Sequence, residues 1–153
     1  MGRDEPEILL VEDDPRDVEL TLHVLRQENL ANHIQVVRDG EEALDFVFCR
    51  GDFTGRSFES PPRVVLLDLK LPKVDGMEVL REVKSDPRTK AIPVVILTAS
   101  REEKDRVNGY RLGVNGYIQK PVDFDKFREM VKQLGLYWLV VNEPPPPAAF
   151  RPR

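Results

Sequence analysis

The chain has 153 residues, of which 33% are charged and 41% hydrophobic, and its formal net charge is −4. That length suits one domain around one buried core, and the mildly acidic balance gives no basic footprint for nucleic acid. No apolar run approaches the roughly 20 residues that cross a bilayer, and Met1 to Glu7 is too polar for a secretory signal, so no membrane association and a cytoplasmic location are expected. The single cysteine, Cys49, has no partner for an internal disulfide, and with only His23 and His33 there is no zinc-type ligand cluster.

The first element is a strand, Ile8-Leu9-Leu10-Val11, which runs out at Glu12 and Asp13. Asp14-Pro15 then supplies an N-cap and a proline in the first helical position, and Val18, Leu22 and Leu25 repeat at helical spacing, which predicts a helix over 15–28. A further strand candidate spans His33 to Val37. The second helix begins near Gly40 with Glu41 and Glu42 in its first turn, carries Ala43, Leu44, Phe46, Val47 and Phe48, and ends near Gly51. Residues 52–63 show no periodicity and read as a long surface loop.

The strand Val64-Val65-Leu66-Leu67 ends at Asp68, and Asp75-Gly76 reads as a turn. Met77, Leu80 and Val83 mark the third helix, which should stop before Pro87 because the residue ahead of a proline disfavours helical geometry. Val94-Val95-Ile96-Leu97 forms the next strand and ends at Thr98. The fourth helix, Glu102 to Leu112, carries Val107 and Tyr110 but also Gly109, which costs about 1 kcal/mol relative to alanine in a helix interior, so it should be the softest helix. Gly116-Tyr117-Ile118 is a short strand leading to Lys120-Pro121. The last helix, from Asp123, places Phe124, Phe127, Val131, Leu134 and Trp138 on one stripe, with Leu136, Tyr137, Leu139, Val140 and Val141 off it. Past Asn142 the proline-rich run favours polyproline II or disorder. The division expected is a domain over 1–141 and a tail over 142–153.

Strands alternating with helices argue for an α/β fold, a parallel sheet with helices on both faces, whose ligand crevice lies beyond the carboxyl ends of the strands. Glu12, Asp13, Asp68, Thr98 and Lys120 all fall at those ends. Three carboxylates in one crevice would repel one another, an arrangement that makes sense around a divalent cation, and oxygen-only ligands favour magnesium. Asp68, a lone carboxylate closing a wholly apolar strand, is the candidate nucleophile for a phosphoryl group. Lys120 offers a mobile positive charge to the phosphoryl oxygens, Thr98 a short hydroxyl donor, and Ala99 leaves room for the group to enter. Taken singly, each is ordinary: Asp14 is a cap, Thr98 a strand residue, Lys120 a surface charge. Together, with the right residue type at four strand ends, they point to a phosphoryl-accepting switch.

The chain resembles the receiver domains of bacterial two-component response regulators from about Glu7 to Leu139. The resemblance rests on Glu12-Asp13 after Ile-Leu-Leu-Val, on Leu-Leu-Asp68-Leu-Lys-Leu-Pro, on Val-Asp-Gly-Met, on Thr98 in Val-Ile-Leu-Thr-Ala, and on Tyr117-Ile-Gln-Lys120-Pro. It implies a doubly wound, flavodoxin-like five-stranded sheet in the order 2-1-3-4-5. It also implies that Asp68 takes a phosphoryl group from a sensor histidine kinase, and that magnesium, or manganese in its place, is held by Asp13, Asp68 and the main-chain carbonyl of Lys70, with Glu12 acting through water. Thr98 and Tyr117 would form the switch, the Lys120-Pro121 bond would be cis, and Lys70 and Ser100 would tune the lifetime of the phosphorylated state. The long loop and the aromatic end of the last helix look like those of stand-alone receivers that accompany phytochromes, so a bacteriophytochrome is an expected donor. With no output domain in view, signalling through a partner or a homodimer built on the fourth helix, fifth strand and fifth helix is expected, not turnover of an external substrate.

Three rivals are weaker. A phosphatase of the haloacid dehalogenase type wants a second aspartate where Lys70 stands. A flavin carrier needs a phosphate-cradling loop where Glu12, Asp13 and Asp14 would repel one. A pure scaffold has no use for the acceptor set.

Overall fold

A computed structural model of the chain describes residues 6–30 and 33–152. Of the polar stretch Met1 to Glu7, the first five residues lie outside that description. Five strands alternate with five helices: β1 (Ile8–Val11), α1 (Pro15–Gln27), β2 (Ile34–Val37), α2 (Gly40–Val47), β3 (Val64–Leu67), α3 (Gly76–Ser85), β4 (Val94–Thr98), α4 (Glu103–Leu112), β5 (Gly116–Gln119) and α5 (Phe124–Gly135). All pairings are parallel and the sheet order is β2-β1-β3-β4-β5. The expected architecture and strand order are therefore those observed. Among the described residues no helix is long and apolar enough to cross a membrane.

Strand side chains alternate between faces, so two cores form. Leu9, Val11, Val65, Leu67, Val94 and Ile96 pack on the side that carries Leu44, Phe46, Leu80 and Val83 of α2 and α3. Ile8, Leu10, Val64, Leu66 and Val95 pack against Val18, Leu25, Phe127 and Val131 of α1 and α5. The central strands β1, β3 and β4 are buried throughout, which explains their unbroken apolar runs. Four helices start on an aspartate, Asp14, Asp39, Asp75 and Asp123, whose side chain accepts a first-turn backbone N–H.

Three features besides the loop and the tail depart from the sequence reading. In α4 the buried residue is Gly109, while Val107 and Tyr110 face outward, Tyr110 at 55% exposure. A Cβ at Gly109 would stand 3.2 Å from Ile96 Cδ1 and 3.4 Å from the Tyr117 ring, so the missing side chain is what lets α4 lie against β4 and β5. The α5 stripe starts late and drifts: Phe124 is 60% exposed, and a π-helical turn over Leu136–Val141 rotates Leu139 into the core, leaving Tyr137, Val140 and Val141 outside. One extra residue per turn shifts every later side chain in phase, which a helical count cannot anticipate. The Lys120-Pro121 bond, expected cis, is trans, as is every peptide bond of the described residues. The X-Pro amide prefers trans by about 0.5–1 kcal/mol, and the trans chain already delivers Lys120 to its carboxylate partners.

The loop and tail differ most from expectation. α2 stops at Val47, and Cys49, in the left-handed region at φ 55°, redirects the chain into a 3-10 turn over Gly51–Phe53. Phe53 meets Phe46 edge-on at 5.1 Å, and the Arg56 guanidinium stacks 3.7 Å over Phe46 while donating to the Phe46 and Ser60 carbonyls. The tail is ordered too. A 3-10 turn over Pro147–Phe150 carries Phe150 into the core of the α2–α3 face at 1% exposure, and Arg151 Nε pairs with Glu59 Oε1 at 2.5 Å. Arg63 donates to the Leu139 carbonyl at 2.8 Å, fastening the same loop to the end of α5. Polyproline stiffness delivers one aromatic anchor to a distant core, and burying it outweighs the entropy of ordering a short segment.

Phe150→Ala is expected to destabilise the chain by about 3 kcal/mol, through lost burial and the cavity left behind. A urea titration followed by far-UV circular dichroism checks this. An unchanged midpoint would mean that the tail does not hold the core together.

Candidate functional site

The carboxyl ends of β1, β3, β4 and β5 lie side by side because the register pairs Val11 with Leu67, Leu67 with Ile96, and Thr98 with Gln119. The residue after each strand end is thereby delivered to one crevice. Backbone hydrogen bonds fix the first two: Glu12 N–H donates to Val37 O at 3.0 Å and Asp68 N–H to Val11 O at 3.1 Å.

Glu12, Asp13 and Asp68 present carboxylate oxygens that all lie within 4.8 Å of one another, Glu12 and Asp68 buried and Asp13 exposed. Leu69 N–H donates to Asp68 Oδ1 at 2.8 Å, which fixes the plane of the carboxylate and aims Oδ2 toward Lys120, 3.5 Å away. Lys120 Nζ donates more closely to Glu12 Oε1 at 2.6 Å and to Asp17 Oδ2 at 2.8 Å. Thr98 is buried, its hydroxyl oxygen accepting from Ser100 N–H at 3.2 Å and its carbonyl from Lys120 N–H at 2.7 Å, while Ala99 is exposed at the mouth. The Tyr117 ring leans on the α2–α3 core beside Gly109, with its hydroxyl buried and unpaired. Lys70 is exposed on the rim, in an open cleft of about 610 Å³ that Asp13, Asp75, Glu102 and Lys104 also line.

Burial pushes the Glu12 carboxyl up to about 7, the Lys120 hydrogen bond pulling it back and the charge of Asp68 pushing it further. Burial also works against the charge on Lys120. Hydrogen bonds from Asp17 and Glu12 and the fields of Glu12 and Asp68 outweigh it and hold the ammonium above the ordinary lysine range. Lys120 is therefore charged, and its one positive charge cannot neutralise Glu12, Asp13 and Asp68 together. An all-oxygen set this close, with one member half-forced to keep its proton, suits a hard divalent cation.

Glu12, Asp13, Asp68, Lys70, Thr98, Ala99 and Lys120 reach the crevice or its rim, whereas the Tyr117 ring packs beside Gly109 of α4. Asp17 went unnoticed, and so did the parts that Ser100 plays in starting α4 and Gly76 in admitting α3. Asp17 stands one helical turn after Asp13, a spacing that places it over the same strand end. Ser100 accepts from Glu102 N–H and donates to Asp105 at 2.6 Å, starting α4 where no side chain caps it. A Cβ at Gly76 would stand 2.1 Å from the Asp68 carbonyl, so glycine is what lets α3 begin directly beside the acceptor.

Comparison with known proteins agrees with this geometry. The response regulator receiver domain matches residues 8–132. Response regulator Rcp1 of Synechocystis sp. is 41% identical over 133 residues, 86% of this chain and 88% of that protein. The crystal structure of the Mn(2+)-bound form of response regulator Rcp1 superposes with a TM-score of 0.84 at 36% identity, covering 92% of this chain and 99% of the other. The bacteriophytochrome response regulator RtBRR is 55% identical with a TM-score of 0.71, covering 92% and 84%.

Because proton and cation compete for Glu12, magnesium affinity is expected to rise severalfold between about pH 6 and pH 8, as the carboxyl loses its proton. Calorimetric titration at three pH values checks this. A flat profile would mean that Glu12 is ionised throughout.

Proposed function

The chain belongs to the response regulator receiver domain family, and from that premise we propose that it is a phosphoryl-accepting switch whose acceptor is Asp68. The observation that carries this reading is the meeting of Glu12, Asp13 and Asp68 within 4.8 Å, with Lys120 Nζ 3.5 Å from Asp68 Oδ2.

An Asp68 carboxylate oxygen attacks phosphorus, the bond from phosphorus to the donor histidine nitrogen breaks, and that nitrogen keeps the electron pair. The product is an acyl phosphate on Asp68. Magnesium would be held by Asp13, Asp68 and the main-chain carbonyl of Lys70, with Glu12 acting through water, and would supply Lewis-acid stabilisation to the phosphoryl oxygens. Manganese in its place is supported by the Mn(2+)-bound Rcp1 structure. Lys120 neutralises one phosphoryl oxygen, and Thr98, whose hydroxyl hydrogen is not committed to Ser100, donates to another. Ala99 leaves the entrance open. Movement of Thr98 then passes to Tyr117, whose ring lies against the bare backbone of α4 at Gly109.

The likeness to RtBRR supports a bacteriophytochrome-type sensor histidine kinase as donor. Output leaves through the face of α4, β5 and α5, where Tyr110, Tyr137, Val140 and Val141 are exposed together with Val107. That face serves a homodimer, since these apolar side chains find no place in either core.

Incubated with acetyl phosphate and magnesium, the protein is expected to gain one phosphoryl group by intact mass spectrometry. Asp68→Asn should gain none and keep its fold, while Lys120→Ala should still be labelled but lose the conformational response. A labelled Asp68→Asn variant would place the acceptor elsewhere. Light scattering at micromolar concentration should give a dimeric mass, and a monomeric mass both with and without phosphorylation would remove the dimer reading.

A further inference from the structure

Asp17 has no part in the phosphoryl chemistry described above, yet it makes one of the two shortest contacts of the Lys120 ammonium. Lys120 Nζ lies 2.6 Å from Glu12 Oε1, 2.8 Å from Asp17 Oδ2 and 3.5 Å from Asp68 Oδ2. Two of the three ammonium hydrogens are thus taken up on the β1–α1 side, and the distance to the acceptor is too long for a good hydrogen bond. The Lys120 side chain is 10% exposed and that of Asp17 26%, so water cannot replace either partner freely.

The position of Asp17 is built in. Asp14 caps α1 by accepting from Arg16 N–H, Pro15 occupies the first turn, and Val18 is buried beside Asp17 on the next position. That start fixes Asp17 over the end of β1. Lys120 leaves β5, and β4 and β3 stand between β5 and β1 in the sheet. Its side chain therefore reaches across the crevice, and Asp17 is the anchor on the far side.

We infer that Asp17 is a positioning residue that holds Lys120 away from Asp68, keeping that carboxylate available to the divalent cation. This rests on the metal-site reading above. A buried ammonium does not stay underpaired. Without the Asp17 carboxylate, Lys120, already bonded to Glu12, closes on Asp68, whose oxygens the cation needs, and competes with it. Asp17 thereby sets how readily the site loads before any phosphoryl donor arrives. In the phosphorylated state the same contact is one that the phosphoryl oxygens must displace or share.

The test is a double-mutant cycle read by Mn2+ binding, measured by calorimetry and by the electron paramagnetic resonance of free Mn2+. Asp17→Asn keeps shape and hydrogen-bonding capacity and removes only the charge. It is expected to weaken Mn2+ binding roughly tenfold, the scale of losses seen when a group supporting metal ligands is removed. In a Lys120→Met background the same substitution should have almost no effect, because the competitor that Asp17 restrains is gone. Lys120→Gln serves as that background if the methionine variant does not fold.

Unchanged affinity in Asp17→Asn would overturn the inference. So would an equal loss in both backgrounds, which would make Asp17 a direct long-range charge on the ion. Absence of Mn2+ binding by the unsubstituted protein would overturn the metal-site reading itself, and this inference with it.

Discussion

Four carboxylates, Glu12, Asp13, Asp17 and Asp68, stand around one ammonium, that of Lys120, at the carboxyl end of the sheet. Much of the site follows from that imbalance. Glu12 is pushed toward keeping its proton, Lys120 is locked into its charge, and a divalent cation supplies what Lys120 alone cannot. Breaking one partner out of a buried charge pair costs about 3–5 kcal/mol, so these side chains are tied to one another far more tightly than exposed charges are. The surrounding fold carries this load. β1, β3 and β4 are buried on both faces and end in register, which places ionised groups at a fixed depth instead of leaving them to find water.

The opposite end of the sheet is organised by different physics. There the 51–63 segment and the tail form one unit out of stacked arginine and phenylalanine side chains: Arg56 over Phe46, Arg88 over Phe58 at 4.4 Å, and Phe48 edge-on to Phe58 at 6.4 Å. Phe150 enters the α2–α3 core beside them, while the chain it belongs to leaves α5 on the other face. The tail thus links both helical layers. Such elaboration lies away from the crevice, so it adds burial without crowding the acceptor.

Between these two regions α4 is held lightly. Its one buried residue is Gly109, it starts without a side-chain cap, and its first turn depends on Ser100 and Asp105. Few buried apolar contacts mean a low cost of local displacement. Ser100 and Tyr117 border this helix and Thr98 meets Ser100, so in the proposed role of Asp68 a change there would reach an element that can respond. α3, pinned at Gly76 against the Asp68 carbonyl and carrying Val79, Leu80 and Val83 into the core, cannot respond in the same way.

The sheet order followed from the family resemblance, while periodicity and residue type were enough to determine the five strands, the five helices and the meeting of Glu12, Asp13, Asp68, Thr98 and Lys120. Each of these follows from a local rule: an apolar run becomes a buried strand, and a polar residue that ends it must sit at the sheet's end. Only tertiary structure decided the rest. The outward turn of Val107 and Tyr110 depends on Gly109 meeting Ile96, and the burial of Leu139 on a π turn. Arg151 on Glu59 and Lys120 on Asp17 join residues 92 and 103 positions apart, and Phe150 enters a core built from the middle of the chain. Neighbouring residues carry no record of such contacts, because their free energy exists only once the two surfaces have been brought together.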